Sequence, residues 1–271
     1  HVIFSNNHFF ELTNCFSVDE INEKYKSVKN IFEKEEGCIT SLNNEFLNDS
    51  KNNNLKVCIK DAENKKKFFS IQKINLSHNN TNIIILNDIS HELEHKHELY
   101  KLLYTDNLTK LPNRAKLIED LQNNVLQLKA VSLLNINSFK EVNDFFGHKV
   151  GDSILIDVGK LISQSIKDNS SLKLYKFPSD TYCITNTMDS KDEFEELIKS
   201  IVDLIYKKVF IFEHYEIDIR ITAGISFSDK NNKLITADIA MQSAKKDRKD
   251  YLIFFDELDK FQEYENNMHW T

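Results

Sequence analysis

The 271-residue sequence has few cysteines, no long apolar run and no excess of positive charge, and each shortage excludes a class of protein. Its four cysteines form no Cys-x-x-Cys pair, so the sequence indicates neither a zinc site nor a disulfide framework. No stretch approaches the roughly 18 to 20 apolar residues that a membrane helix needs. The formal net charge of −7 disfavours a nucleic-acid-binding surface, which must neutralise phosphates. We therefore predict a cytoplasmic segment that binds no nucleic acid and crosses no membrane.

The length favours two modules, and the patterns of the two halves differ. Three segments rich in Val, Ile and Phe predict an antiparallel meander at 55–60, 68–74 and 82–89. A strand at 2–4 and helical patterns at 7–13, 19–25 and 28–32 precede it. From 91 to 104 the pattern is that of an amphipathic helix with Leu93, Tyr100 and Tyr104 on one face.

The second half alternates helices and strands, which predicts an α/β domain with a covered sheet. The helices are predicted at 114–128, 139–145, 150–166, 191–206 and 233–246. The strands are predicted at 130–136, 172–177, 182–186 and 215–227.

Three motifs in this half resemble the GGDEF family of diguanylate cyclases. They are Asp-Asn-Leu-Thr-Lys-Leu-Pro-Asn-Arg from Asp106, the stretch from Asn135 to Asp152 that contains Phe-Phe-Gly-His, and the stretch from Leu174 to Ile184. The resemblance implies a nucleotidyl-cyclase-like βααββαβ core over residues 106–256, with an active site over its central hairpin. It also implies chemistry that joins two GTP molecules with the help of metal ions.

The acids of that active site are largely replaced here. By resemblance, Asn135 stands where the family has an acid at the end of a strand, and Asn137 also replaces an acid. The signature becomes Pro178-Ser179-Asp180-Thr181-Tyr182, which keeps Asp180, the one candidate magnesium ligand, and loses the second acid to Thr181. An amide carries no charge, and Mg²⁺ favours anionic oxygen. Pro178 and Ser179 replace two glycines, so we expect a folded turn with an impaired phosphate cradle.

Several nucleotide-binding positions persist in the same resemblance. Asn143 and Asp152 match residues that hydrogen-bond guanine, Lys140 matches a lysine near the site, and Lys245 and Lys249 match phosphate-facing positions. An alternative interpretation makes Asn143 and Asp152 helix caps or turn residues beside glycine. The Arg-x-x-Asp product-inhibition motif is absent, because the aligned stretch is Asn169-Ser170-Ser171-Leu172.

Two other motifs are read as structural. His91-Glu92-Leu93-Glu94-His95 has the spacing of a zinc-protease helix, but it lies in a charged helix without an evident third ligand, which favours a solvated face. Cys15 follows Asn14 as in flavin photoreceptors, yet the surrounding signature is missing, so it is predicted to be an ordinary, partly buried thiol.

The first half resembles a PAS sensor domain, with a five-stranded antiparallel sheet over residues 1–90 whose first strand is truncated at the chain start. Residues 91–105 are then predicted to form a signalling helix that suits a homodimer, with a monomeric amphipathic helix packed on either domain as the alternative. Residues 257–271 resemble the helical approach to an EAL-type cyclic di-GMP phosphodiesterase, so the chain is interpreted as a fragment of a PAS-GGDEF-EAL protein. The ligand of the PAS domain cannot be derived from its apolar residues.

These features predict a sensory protein of cyclic di-GMP signalling whose degenerate cyclase domain relays a signal, with GTP or cyclic di-GMP as its nucleotide and weak Mg²⁺ binding. Two alternatives stay open. The chain is an active diguanylate cyclase that depends on Asp180, or it is a dimerisation scaffold that binds no nucleotide.

Overall fold

The computed structural model describes residues 2–40, 55–76, 81–123, 127–213, 215–228 and 232–254. Within these ranges the chain forms two compact units that divide between Leu99 and Tyr100. No helix in the described ranges has both the length and the apolar character that crossing a bilayer would require.

Two short helices open the first unit, and a polar side chain fixes the start of each. These are α1 (Asn7–Thr13) and α2 (Val18–Tyr25). Asn6 Oδ1 accepts a hydrogen bond from the Phe9 amide at 3.0 Å, and Ser17 Oγ accepts one from the Glu20 amide at 3.1 Å. Both predicted helices are confirmed, whereas the helix predicted at 28–32 is a 3₁₀ turn over Val28–Ile31 that leads into a strand.

The first unit contains a four-stranded antiparallel sheet in the order β1-β2-β3-β4. The strands are β1 (Phe32–Glu33), β2 (Lys56–Lys60), β3 (Lys66–Leu76) and β4 (Thr81–Asp88). The predicted meander is confirmed. The expectation of five strands, with the first at 2–4, is wrong for the described residues, because the Asn22 side chain exchanges two 2.9 Å hydrogen bonds with the Val2 backbone instead.

One face of this sheet carries the core of the first unit. Val57 and Ile59 of β2 and Phe69 and Ile71 of β3 are buried in this core, and Cys58, which lies between the first two, is buried as well. Helix α3 (Ser90–Tyr104) follows β4 and confirms the predicted connector helix. None of its residues is buried, and the side chains of Leu99, Leu102 and Leu103 are more than half exposed.

The second unit is an α/β layer structure whose five-stranded sheet has the order β11-β10-β5-β7-β6. Its sheet strands are β5 (Ala130–Ile136), β6 (Leu172–Lys176), β7 (Thr181–Asn186), β10 (Ile221–Ser226) and β11 (Tyr251–Phe254). A separate hairpin consists of β8 (Val209–Phe212) and β9 (Tyr215–Asp218). The helices are α4 (Arg114–Gln122), α5 (Phe139–Phe146), α6 (His148–Ile166), α7 (Lys191–Lys207) and α8 (Lys233–Lys246).

Helices cover both faces of this sheet, which explains why every residue of β5 is buried. Leu134 and Ile136 pack with α6 and α7, whereas Val131 and Leu133 pack with α4 and α8. The predicted α/β fold with its βααββαβ core is therefore confirmed. The signature turn joins β6, at the edge of the sheet, to β7, which pairs with β5, so the hairpin is not central in the sheet.

Several elements of the second unit differ from the predictions. Helix α4 ends at Gln122 rather than at residue 128. The single strand predicted at 215–227 is two strands, β9 and β10, and β8 and β11 were not predicted. The predicted tail helix at 257–271 lies outside the described residues.

Candidate functional site

The signature turn connects β6 to β7 and is closed by a backbone hydrogen bond from Phe177 N to Thr181 O at 2.9 Å. Ser179 lies in the left-handed region with φ of 60°. Side chains are uncommon there, and glycine adopts this conformation without steric cost. The turn is folded, as the sequence predicted, and Ser179 adopts a backbone conformation that is typical of glycine.

A buried lysine, Lys176, supports the turn from within the protein. Its residue is only 4% exposed, and its Nζ donates hydrogen bonds to the carbonyl oxygens of Phe177 and Ser179, both at 2.6 Å. Burial lowers the pKa of Lys176, and the nearby charges of Asp106 and Asp180 oppose that shift. No motif in the sequence singled out Lys176. Its signal was a lysine enclosed between Tyr175 and Phe177 immediately before the turn.

Four of the predicted site residues meet at the end of β5, in what we call the strand-end corner: Asn135, Asp180, Thr181 and Lys245. The Asn135 amide nitrogen donates to Asp180 Oδ1 and to Thr181 Oγ1, both at 2.8 Å. On the other side, Lys245 Nζ donates to Asn135 Oδ1. Asn135 is 7% exposed, whereas Asp180, Thr181 and Lys245 are half-buried, so the amide is shielded from water and its three partners are partly solvated. The amide is bonded on both its oxygen and its nitrogen.

This arrangement does not fit a divalent metal ion. Mg²⁺ favours anionic oxygens in near-octahedral geometry, and Asp180 is the one carboxylate that this network contains. The Asn135 oxygen, which could otherwise face a metal, accepts from an ammonium group. Over the described ranges, no group of three or more His, Cys, Asp or Glu residues could hold a metal ion.

The predicted guanine-binding residues lie at a second place, the helix corner, which consists of Asn143, Gly151 and Asp152. Asn143 lies within α5 and Asp152 within α6, so neither caps a helix. A Cβ atom on Gly151 would lie 1.9 Å from Asn143 Oδ1, so the glycine lets the amide pack against α6. Neither the Asn143 nor the Asp152 side chain has a hydrogen-bond or ion-pair partner in the part of the chain that the structure describes.

The other predicted positions lie around these corners. Lys140 is exposed in the first turn of α5, and Lys249 is exposed beyond the end of α8, 3.9 Å from Asp247. Asn137 is fastened to β10, because its Oδ1 accepts from Thr222 Oγ1 at 2.9 Å. The structure does not bring Lys140 or Lys249 into the network around Asn135.

A cavity of about 440 Å³ opens beside the signature turn, within the range of small-molecule sites. Its lining includes Lys176, Pro178 and Ser179 from the turn region, Asp106 from the segment before α4, Arg114 from the first turn of α4, and Leu155 from α6. The Arg114 guanidinium carbon lies 5.8 Å from the centre of the Phe177 ring. The space therefore combines an apolar wall with charged groups of both signs.

The two motifs set aside from the sequence belong to the first unit. His91 and His95 are exposed on α3 with ring centroids 4.3 Å apart. Cys15 is buried, and its thiol lies 3.5 Å from the Thr13 carbonyl oxygen.

A profile of the family described as "Diguanylate cyclase, GGDEF domain" matches residues 103–251, which is more than half of the chain. The chain belongs to this family. The match covers both corners and the signature turn of the GGDEF domain. The match does not cover the first unit, which contains the four-stranded sheet.

Curated relatives are similar to the GGDEF domain over part of their own length. Signaling protein YkoW of Bacillus subtilis is 27% identical over 177 residues, 61% of this chain and 22% of that protein. The bifunctional diguanylate cyclase/cyclic di-GMP phosphodiesterase MucR of Pseudomonas aeruginosa is 28% identical over 172 residues, 59% of this chain and 24% of that protein. The chain thus spans about a quarter of the length of these relatives.

The fold of the GGDEF domain also matches solved structures. The coiled coil and GGDEF domain of DgcB from Caulobacter crescentus, in complex with c-di-GMP, superposes with a TM-score of 0.54. The match covers 61% of this chain and 92% of that chain at 17% identity. At this identity, the likeness establishes the fold alone.

Proposed function

We propose that this chain is a regulatory protein of cyclic di-GMP signalling whose GGDEF domain binds GTP without converting it to cyclic di-GMP. The observation that carries the proposal is the Asn135 amide. It stands at the end of β5, where a metal-binding acid would be expected, and it is bonded to Lys245, Asp180 and Thr181. Loss of the metal ligand and of the second signature acid would lower the rate roughly 10⁴-fold or more.

The helix corner supports the binding half of the proposal. Asn143 offers a donor and an acceptor, and Asp152 offers a carboxylate that can accept from the guanine N1 and amino groups. Both side chains lack partners in the described part of the chain. Lys245, with Lys140 and Lys249 further out, supplies positive charge for the phosphates.

The test is to incubate the purified chain with GTP and Mg²⁺ or Mn²⁺ and to quantify cyclic di-GMP by chromatography. We expect no product above background. The matched control is the double variant Asn135→Asp/Thr181→Glu, which restores both acids in the same scaffold. Robust product from the unaltered chain, abolished by Asp180→Ala, would contradict the proposal in favour of an active cyclase.

Calorimetry with GTP tests the binding half. We expect saturable heat that Asn143→Ala removes. If the chain gives no heat with GTP at millimolar concentration and is a dimer in solution, the dimerisation scaffold becomes the better interpretation.

For the first unit we propose a PAS-type sensor, coupled through α3 to the GGDEF domain and to a downstream EAL output. The antiparallel sheet that follows short helices supports the sensor. The exposed leucines of α3 support pairing of this helix with a second copy. An absorption spectrum would detect a haem or flavin, and light scattering with Leu99→Glu and Leu102→Glu variants would test the dimer.

A further inference from the structure

We infer that the Lys245 ammonium is a built-in cation of the GGDEF domain, which through the Asn135 amide takes the electrostatic place of a divalent metal ion and excludes one. If the GGDEF domain binds GTP, as proposed above, its pocket then binds the phosphates of the nucleotide without a metal ion. The inference is drawn from the two-sided bonding of Asn135 and from the charge balance of the strand-end corner.

The first step is the direction of the hydrogen bonds. The Asn135 oxygen accepts from Lys245, and its nitrogen donates to Asp180 and Thr181. An aspartate at this position would have no N–H to donate, so two carboxylates would face each other at the distance that now separates Asn135 from Asp180. Like charges that close need a cation between them. The amide removes that need because its oxygen accepts a hydrogen bond from the lysine while its nitrogen donates one to the carboxylate.

The second step is the charge of the corner. Lys245 carries one positive charge and Asp180 one negative charge, so the network is neutral as it stands. A divalent ion would have to displace the ammonium or lie beside it, with a single carboxylate to compensate its two charges. Lys245 and Asp180 are half-buried, so water screens this repulsion only in part.

The third step concerns the remaining capacity of Lys245. An ammonium group has three N–H donors, and one points to Asn135. Lys245 is partly exposed at the end of α8, and it has no other hydrogen-bond partner in the described ranges. Its other donors are therefore available to a phosphate oxygen. The same side chain can hold the corner together and neutralise a ligand.

The experiment uses the purified chain and Mn²⁺ alone, with binding followed by the loss of the free-ion electron paramagnetic resonance signal. We expect no specific Mn²⁺ binding by the unaltered chain and none by Lys245→Gln, which still lacks a second acid. We expect Asn135→Asp/Lys245→Gln to bind Mn²⁺ about tenfold or more tightly than the unaltered chain does. The control is Asn135→Asp/Lys246→Gln, which removes the same charge from the next residue of α8. Its gain in Mn²⁺ affinity should be smaller.

Circular dichroism and thermal denaturation identify any variant that fails to fold, and the unaltered chain provides a readout that needs no variant. Tight Mn²⁺ binding by the unaltered chain that Asp180→Ala abolishes would overturn the inference. Equal Mn²⁺ affinity in the Lys245 and Lys246 combinations would also overturn it, because the ammonium at position 245 would then have no special role.

A second arm compares GTP affinity in EDTA and in Mg²⁺. We expect the two affinities to agree within about twofold and Lys245→Gln to weaken both by roughly tenfold or more. GTP binding that requires Mg²⁺ would contradict the inference while leaving nucleotide binding intact. The absence of GTP binding in both buffers would instead remove the proposed function, and the Mn²⁺ arm would still decide whether Lys245 excludes metal.

Discussion

The strand-end corner and the helix corner of the GGDEF domain satisfy their polar groups in opposite ways. At the strand-end corner the Asn135 amide has protein partners on both its oxygen and its nitrogen. At the helix corner neither Asn143 nor Asp152 has a partner among the described residues. The strand-end corner therefore satisfies its amide internally, whereas the polar groups of the helix corner remain available to a ligand.

The largest expected effect comes from Gly224→Ala, which would disturb the helix that carries Lys245. A Cβ on Gly224 would lie 2.1 Å from the Ala237 carbonyl oxygen and 2.3 Å from the Met241 amide nitrogen, both backbone atoms of α8. The helix would have to move, so we expect the free energy of unfolding to fall by roughly 3 kcal/mol or more, measured by urea denaturation.

Gly159→Ala is the matched control for that change. Its new Cβ would meet side-chain atoms only, Leu111 Cδ1 at 3.2 Å and Tyr182 Cε1 at 3.4 Å, and alanine favours the helix that contains it. We expect a change within about 1 kcal/mol. If both variants lose the same stability, the close packing of α8 on β10 is not what holds the strand-end corner.

The second prediction compares alanine at the two amides. Asn135→Ala removes a buried group that bonds to three side chains and should cost roughly 2 kcal/mol. Asn143→Ala removes no hydrogen bond and improves helix propensity, so its stability should change by less than about 0.5 kcal/mol. Thermal denaturation of the two variants measures the difference. A cost at Asn143 as large as that at Asn135 would contradict the contrast between the corners.

The third prediction addresses the helix corner through its glycine. In Gly151→Ala the new Cβ would displace the Asn143 side chain, since Asn143 Oδ1 lies 1.9 Å from its position. A side-chain end can move cheaply, so we expect little loss of stability but a GTP affinity about tenfold lower by calorimetry. Gly159→Ala, in the same helix, should bind GTP as the unaltered chain does. Unchanged GTP affinity in Gly151→Ala would argue against guanine recognition by Asn143.

The smallest expected effect is a pH dependence from Lys176. Burial lowers its pKa below the ordinary 10.5, so between that lowered value and 10.5 the unfolded chain binds more protons than the folded one. In that window the free energy of unfolding of the unaltered chain should rise with pH relative to that of Lys176→Met, because methionine does not titrate. Urea denaturation of both proteins across the window measures the difference. A relative fall with rising pH would show that the ammonium is stabilised rather than penalised by its surroundings.

Much of the fold followed from pattern because local and tertiary preferences agree. The β5 strand was predicted to the residue, since a mostly apolar run between polar segments suits a strand covered on both faces. The prediction of one long strand at 215–227 was wrong, because the chain breaks at Ile219 and Arg220 between β9 and β10. The apolar residues on both sides of this break have the pattern of a single strand. Composition does not reveal where pairing partners change.

The sequence indicated which residues meet at the strand-end corner but not all of their contacts. The resemblance of motifs singled out Asn135, Asp180 and Thr181, and the structure brings them together. No pattern, however, indicated that Lys245 would donate to Asn135 or that Lys176 would support the turn. Those contacts depend on three-dimensional packing and on the direction of hydrogen bonds, which residue types alone leave open.

The bond between Lys245 and Asn135 joins positions 110 residues apart along the chain. During synthesis, β5 leaves the ribosome long before α8 does, and until the helix arrives the Asn135 oxygen must be hydrated. During synthesis the corner therefore cannot close until α8 has been made. A nascent chain arrested before α8 would carry an open, water-filled corner, and only the finished helix would seal it.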